Sequence, residues 1–288
     1  MNLFDLLPND EVTYNALCIN QLSNDDLENS LENINCKYYS CQEFFNTNNN
    51  KSFNIFHSNV NGYLSKAENI HEFLSNDTDF DVICISETSL VDGTEIPKVA
   101  KIAGFNDPFC TNTLSRNGGV AIFAKNLNAV ERIDLKIQNK EYEGVWIELN
   151  NTGCKNTIIG CLYRHPHYNN IKKFKDYLKN CLAKIGKENK EVYITGDFNI
   201  DLLKYETNPK YREFYNFMTS NGYLPLITQP TRFSEDRQSL IDNIFTNSFC
   251  NESHSGNILI EFADHLTQFV SVNKEVSYVK NETHYKLS

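Results

Sequence analysis

The sequence predicts an α/β sandwich, in which two sheets pack face to face and helices cover the outside. Three observations carry that prediction. Short apolar, β-branched runs recur between turn residues through the middle of the chain, only a few amphipathic helical patterns interrupt them, and 40% of the residues are apolar, enough for a large core.

The strand runs, in order, are FNIFH (53–57), DVICI (81–85), GGVAIFA (118–124), GVWIEL (144–149), TIIGCLY (157–163), EVYIT (191–195), LIDNIF (240–245) and TQFVSV (267–272). Between them, residues 64–75 bring Leu64, Ile70, Phe73 and Leu74 to one side of a helix. Residues 171–185 do the same with Ile171, Phe174, Tyr177, Leu178, Cys181, Leu182 and Ile185. No internal repeat is present. Residues 53–273 therefore read as one domain, preceded by an acidic, Asn-rich leader and linker (1–52, partly helical or disordered) and followed by a polar tail (274–288). Within the leader, Leu27, Leu31 and Ile34 have the spacing of one short amphipathic helix.

Charge and cysteine usage narrow the class. No apolar run reaches the roughly 18–20 residues that span a bilayer, so no membrane association is expected. The first residues are acidic where a secretory signal is basic, which argues against secretion. The nine cysteines form no C-x-x-C pair, and Cys84 and Cys161 sit inside apolar runs, as in a reducing compartment. The net charge of −10 argues at first sight against nucleic acid, yet residues 1–50 alone hold eight acids against one lysine. The domain itself is closer to neutral, so any DNA binding by it should be weak, salt-sensitive and dependent on local Arg and Lys.

Polar residues at the ends of strands stand out: Asn59, Glu87, Asp197 and Asn199 follow strand runs, Tyr163 ends one, Asp242 lies in LIDNIF, and Asp264 and His265 precede the last. Each alone has an ordinary structural reading, as a helix-start acid, a turn residue or a solvated loop pair. Together they supply what hydrolysis of a phosphate ester needs. Carboxylates hold Mg²⁺ against a phosphate oxygen, an Asp orients a water, and a His steered by an acid donates to the phosphate.

The ordered set SNVNG (58–62), ICISET (83–88), GGVAIF (118–123), LYRHP (162–166), GDFNIDL (196–202), QPTR (229–232), SLIDNIF (239–245) and ADH (263–265) resembles the endonuclease/exonuclease/phosphatase superfamily. More narrowly, LYRHP, GDFNIDL and PTR with SLIDNIFTN resemble the apurinic-like endonuclease domain of non-LTR, jockey-like retrotransposons. The likeness covers residues 53–273. It implies a four-layer α/β/β/α sandwich of two mixed sheets and a Mg²⁺-dependent endonuclease, with Mn²⁺ as a substitute, that nicks DNA to leave a 3′-hydroxyl for target-primed reverse transcription. By the same likeness, Glu87, Asp264 and Asn59 serve the metal, and Tyr163 contacts the scissile phosphate. Asp197 aligns or deprotonates the water, Asn199 holds a phosphate oxygen, His265 hydrogen-bonds the phosphate, and Asp242 fixes the tautomer of His265. Thr231 and Ser239 match supporting polar positions. The implied partners are target DNA, element RNA and a reverse transcriptase domain in the full-length protein. A monomer, acting in the nucleus after synthesis in the cytoplasm, is expected.

Two positions depart from the family pattern: Ala263 stands where Ser usually precedes Asp-His, and Asn61-Gly62 where related elements often have Arg-Ser. For the substrate side, Arg116, Asn117, Arg164, His165, His167, Arg232 and Arg237 lie on loops beside the motifs and are candidates for phosphate contacts. The lysines of 172–190 read equally well as a solvated helix face. A two-His metal site at His165 and His167 lacks a third ligand. The rival readings are a phosphomonoesterase of the inositol-phosphate type and a non-catalytic binding module that keeps the fold.

Overall fold

The structure, a computed structural model, describes residues 34, 36–47, 52–75, 79–90, 97–111, 118–125, 127–151, 153–234, 236–248, 253–260 and 262–274. The leader helix expected around Leu27, Leu31 and Ile34 lies largely outside them, as do Arg116 and Asn117.

In chain order the first half holds β1 (Cys36–Tyr39), α1 (Cys41–Thr47), β2 (Phe53–Asn59), α2 (Tyr63–Ser75), β3 (Val82–Ser86), β4 (Phe109–Cys110), β5 (Val120–Ala124), β6 (Ala129–Glu131), β7 (Ile137–Gln138) and β8 (Tyr142–Leu149). The second half adds β9 (Thr157–Arg164), α3 (Ile171–Ile185), β10 (Glu191–Asp197), α4 (Pro209–Ser220), β11 (Leu224–Pro225), β12 (Arg232–Ser234), β13 (Arg237–Ser239), β14 (Asp242–Thr246), β15 (Ser253–Ile258) and β16 (Thr267–Val272). One seven-stranded sheet runs β1-β15-β16-β2-β3-β5-β4. The other runs β11-β14-β10-β9-β8-β6, with β7 also on β8, and β12 with β13 forms a separate hairpin.

The period of two along the first sheet separates the layers. On β3 and β5, Val82, Cys84, Val120, Ile122 and Ala124 join the core that faces the second sheet. The intervening Ile83, Ile85, Ala121 and Phe123 join a second core with Phe44 of α1 and Tyr63, Ile70 and Phe73 of α2. On the far side, β9 is buried at all eight positions and reads as a continuous apolar run because it is covered on both faces. There α3 buries Phe174, Leu178, Cys181, Leu182 and Ile185, and α4 buries Phe214, Tyr215 and Met218. The order is helices, sheet, sheet, helices, the four-layer sandwich expected.

Several segments differ from the sequence reading. Residues 36–39 pair in parallel with β15, so the domain starts earlier than residue 53 and draws an edge strand from the leader. Helix α4 follows an N-cap at Asn208, whose side chain accepts from the Lys210 N–H, with Pro209 in the first turn. Strand β15, SHSGNI, has almost no apolar residue, yet it is held between β1 and β16.

Candidate active site

The site gathers where strands of both sheets end. Asp197 closes β10, where it stands opposite Asp242, the first residue of β14, and beside Tyr163 of β9. From the other sheet, Asn59 closes β2 and Glu87 follows β3. One side chain joins the two sheets: the Asn59 amide nitrogen donates to Glu87 Oε1 at 2.8 Å and to Asp197 Oδ2 at 2.9 Å. A local turn sets this arrangement. Glu87 has a positive φ of 55°, and its carbonyl accepts the Gly62 N–H at 2.7 Å. The Asn61-Gly62 departure is thus a turn with φ of 44° and 100° that locks the Glu87 backbone to the start of α2.

Asp242 and His265 form the pair expected, with Nδ1 2.8 Å from Oδ2. The Thr231 hydroxyl donates to the same oxygen at 2.7 Å. Thr231 is fully buried against Asp242. Arg164, a candidate phosphate contact by sequence, is placed otherwise. It is buried, and its guanidinium donates to the carbonyls of Phe198 (2.7 Å), Asn199 (2.6 Å) and Tyr168 (3.2 Å) and to Asn170 Oδ1 (2.8 Å), so it shapes the turn after Asp197.

Burial shapes the electrostatics. Burial first, then the charge of Asp242, push Asp197 up to about 7, against the pull of His265 and of the Asn199 N–H. For His265, burial favours the neutral ring, but the charge and hydrogen bond of Asp242, with Asp197 and Asp264 behind them, lift it to about 9. The Tyr163 hydroxyl is pushed well up by burial and by the nearby Glu87 and Asp197 carboxylates, so at neutral pH it is a neutral donor.

Two of the expected metal ligands are arranged differently from expectation. The Asn59 side-chain oxygen accepts the Asn61 N–H at 3.2 Å, which leaves it one lone pair, and its amide nitrogen clamps the carboxylates. Asp264 is half-exposed and bound to Arg232, with Nε 2.8 Å from Oδ2; His265 and Arg232 hold its carboxyl below the usual range against the effect of burial.

Among the described residues, Asp197, Asp242 and His265 bring their ligand atoms within 4.8 Å of one another. Asp242 Oδ1 is buried with no partner. A set of carboxylate oxygens that includes an orphaned one suits a hard divalent cation. A protonated imidazole has no lone pair to give, so His265 fits the role of donor to a phosphate better than that of ligand.

Beside this cluster lies an open groove of about 400 Å³, lined by Asn199, Tyr211, Arg232, Arg237, Ser239 and Asp264. Arg232 and Ser239 both line this groove, and they face each other across the β12–β13 hairpin. Asn199 lines the groove in a left-handed conformation (φ 49°) and spends one amide hydrogen on the Arg164 carbonyl at 2.8 Å. Of the lysines near α3, Lys173, Lys175, Lys184 and Lys190 are in ion pairs with Glu141, Glu213, Asp134 and Glu148, as a solvated helix face would be. The sequence carried no signal for Glu143, which is fully buried opposite Tyr163, or for His57, buried between Gln268 and Ser86.

Comparison with known proteins agrees with this architecture. The endonuclease domain of TRAS1, a telomere-specific non-LTR retrotransposon, is similar with a TM-score of 0.58 and 14% identity, covering 77% of this chain and 98% of that one. TDP2 of D. rerio, complexed with single-strand DNA product, gives 0.56 and 14% over 78% and 100%. The Bacteroides thetaiotaomicron mannosyl-6-phosphatase gives 0.54 and 16% over 77% and 99%. At such identities these likenesses speak to the fold. No curated protein sequence matches the chain significantly. The family model described as "Endonuclease/Exonuclease/phosphatase family", whose members hydrolyse phosphodiester or phosphate esters, matches residues 51–265. This chain therefore belongs to the endonuclease/exonuclease/phosphatase family.

Proposed function

We propose that the protein is a Mg²⁺-dependent DNA endonuclease of the non-LTR retrotransposon kind. The observation that carries this reading is the pairing of an Asp197 whose pKa sits near neutrality with a His265 held protonated by Asp242, at one end of two sheets that Asn59 ties together. Asp197 is poised to take the proton of a water as the water oxygen attacks phosphorus. His265 donates from Nε2 to a non-bridging phosphate oxygen, and the neutral Tyr163 hydroxyl and the second Asn199 amide hydrogen supply further donors. The bond from phosphorus to the 3′ oxygen breaks, and that oxygen takes a proton from solvent, leaving a 3′-hydroxyl and a 5′-phosphate. Glu87, with Asp264 once it leaves Arg232, would hold the Mg²⁺, and the unpartnered Asp242 Oδ1 is a further oxygen available to it. Bound there, the ion neutralises charge on the phosphate and the leaving oxygen, and Mn²⁺ would substitute.

On this reading the protein acts as a monomer on nuclear target DNA after synthesis in the cytoplasm. Element RNA and a reverse transcriptase domain are its partners in the full-length protein, and the 3′-hydroxyl primes reverse transcription. The test is nicking of supercoiled plasmid. Wild type should relax the plasmid with Mg²⁺ and not in EDTA, and Asp197→Ala or His265→Ala should abolish the activity. Absence of metal-dependent cleavage of any DNA by wild type refutes the nuclease. The mannosyl-6-phosphatase neighbour favours the second reading, a phosphomonoesterase, which predicts release of phosphate from small sugar phosphates with intact plasmid.

A further inference from the structure

Next to the cluster lies a second pair of buried ionisable groups that the proposed reaction does not use. Glu143 stands opposite Tyr163 in the β8–β9 ladder and is fully buried. Its Oε2 accepts the Gly119 N–H, which belongs to the loop before β5 in the other sheet. The Gly119 and Gly118 carbonyls accept in turn the N–H groups of Thr88 (3.1 Å) and Ser89 (2.8 Å). A carboxylate of one sheet is therefore chained, through two backbone links, to the turn that carries Glu87.

The other half of Glu143 is unfinished. Oε1 has no partner, nor has His165 Nε2, and these two buried atoms are 3.8 Å apart. The His165 ring meets the Tyr163 ring edge-on, with centroids 4.6 Å apart. Three occupants of the gap are conceivable. A bridging water making two bonds of about 2.8 Å at a tetrahedral angle needs its partners about 4.6 Å apart, which the gap does not provide. Among the described residues a cation would find the Glu143 and His165 side chains here, fewer ligands than such sites use. A direct hydrogen bond needs an approach of only about 0.8 Å, within the reach of a side-chain adjustment.

We propose that Glu143 and His165 are positioning residues for phosphodiester cleavage: His165 Nε2–H closes on Glu143 Oε1, and the pair holds the Tyr163 ring and the Glu87 turn in register with Asp197. The role in cleavage rests on the endonuclease reading. Neither group touches the substrate; each acts through Tyr163 or through the Gly119 link. Partners of this kind, one step behind the reacting groups, typically change activity by about 10- to 100-fold.

The test combines kinetics with a spectrum. Glu143→Gln keeps an oxygen for the Gly119 N–H but removes the anion. His165→Gln keeps a donor at the place of Nε2, and His165→Phe removes it. Glu143→Gln and His165→Phe should each lower kcat by about 10-fold or more with KM for DNA within about 2-fold. His165→Gln should retain most of the activity, and the double variant Glu143→Gln/His165→Phe should be no worse than the worse single one. Wild-type kcat in both single variants, or losses that multiply in the double variant, overturns the proposal. The spectrum needs no cleavage. In ¹⁵N-resolved imidazole spectra, a slowly exchanging His165 Nε2 proton should be present in wild type and lost in Glu143→Gln; its absence from wild type or persistence in the variant overturns the pair. If wild type cleaves no DNA, the nuclease reading falls, and the spectrum still decides whether the pair exists.

Discussion

The Arg232 guanidinium is bonded to the Asp264 carboxylate, with Nε 2.8 Å from Oδ2, so a candidate phosphate contact and a candidate metal ligand occupy each other. The two are held together by the fold as well as by charge, because Arg232 also forms a backbone bridge with His265. An exposed ion pair of this kind is worth little on its own, about 0–1 kcal/mol, so metal and DNA together can separate it. Arg232→Ala should release Asp264 and lower the Mg²⁺ concentration for half-maximal nicking by about 2- to 5-fold. If Arg232 meets a phosphate of the bound DNA, the same change should also raise KM for DNA. Magnesium titrations at saturating DNA read the first effect. An unchanged half-saturation point would show that the pair does not compete with the metal.

The buried groups Asp197 and His265 make stability depend on pH, and the sign is fixed by the direction of their shifts. Asp197 is raised from 3.8 to about 7 and His265 from 6.5 to about 9, so the folded protein binds both protons more tightly than the unfolded chain. Stability from Asp197 is complete below pH 3.8 and is lost as pH rises through 7; that from His265 is complete below pH 6.5 and is lost through 9. In EDTA, the melting temperature should therefore fall between about pH 5 and pH 9. Asp197→Asn removes the first contribution. Its melting temperature should equal that of wild type near pH 4 and exceed it by about 2–8 °C at pH 8, while nicking is lost. A variant no more stable than wild type at pH 8 would mean that the Asp197 charge is not strained.

Arg164 shows how a charged residue can serve the site without meeting the substrate. Four of its donor contacts go to oxygens of Phe198, Asn199, Tyr168 and Asn170, two of them in the turn that follows Asp197. Arg164→Lys keeps the charge but loses the fork, and several buried carbonyls are left unpaired at about 1–3 kcal/mol each. The variant should melt at least about 5 °C lower, and its kcat should fall more than KM rises, because the Asp197–Asn199 turn loosens. A rise in KM alone, with full stability, would return Arg164 to the substrate side.

What was legible in the sequence follows from what each residue's neighbours demand. β9 and β10 are apolar runs because helices and a second sheet cover both faces, and the GDFN turn was visible because it directly follows such a run. β15 was not, since its place is won by hydrogen bonds to β1 and β16 and not by apolar side chains. α4 buries Phe214, Tyr215 and Met218 among polar residues, a stripe with too few aliphatic positions to register as a period. Asn59, Glu87, Asp197, Asp242 and His265 come together in space as their strand-end placement suggested. The roles of Arg164, Thr231 and Glu143 depend on which atoms a side chain meets across the two sheets, and residue type does not encode that.

Gly196 stands immediately before Asp197 and supplies a steep test of how tightly the site is set. Its φ is 150°, and a Cβ built there would lie 2.0 Å from the Leu162 carbonyl oxygen and 2.8 Å from the Leu162 carbonyl carbon. Backbone, unlike the tip of a side chain, has nowhere to go, because Leu162 is the β9 partner of Gly196 in the same ladder that sets Tyr163 beside Asp197. Gly196→Ala must therefore push β10 away from β9 at the catalytic end. The expected cost is about 2–4 kcal/mol of stability, seen as a lower urea midpoint, with nicking reduced at least about 100-fold even where the protein is folded. Gly153, whose φ is 81° but whose Cβ would meet nothing within 4 Å, is the control. Gly153→Ala carries backbone strain of about 1 kcal/mol without the clash and should leave nicking untouched. If the two variants lose activity equally, strain alone accounts for both, and the β9–β10 approach does not place Asp197.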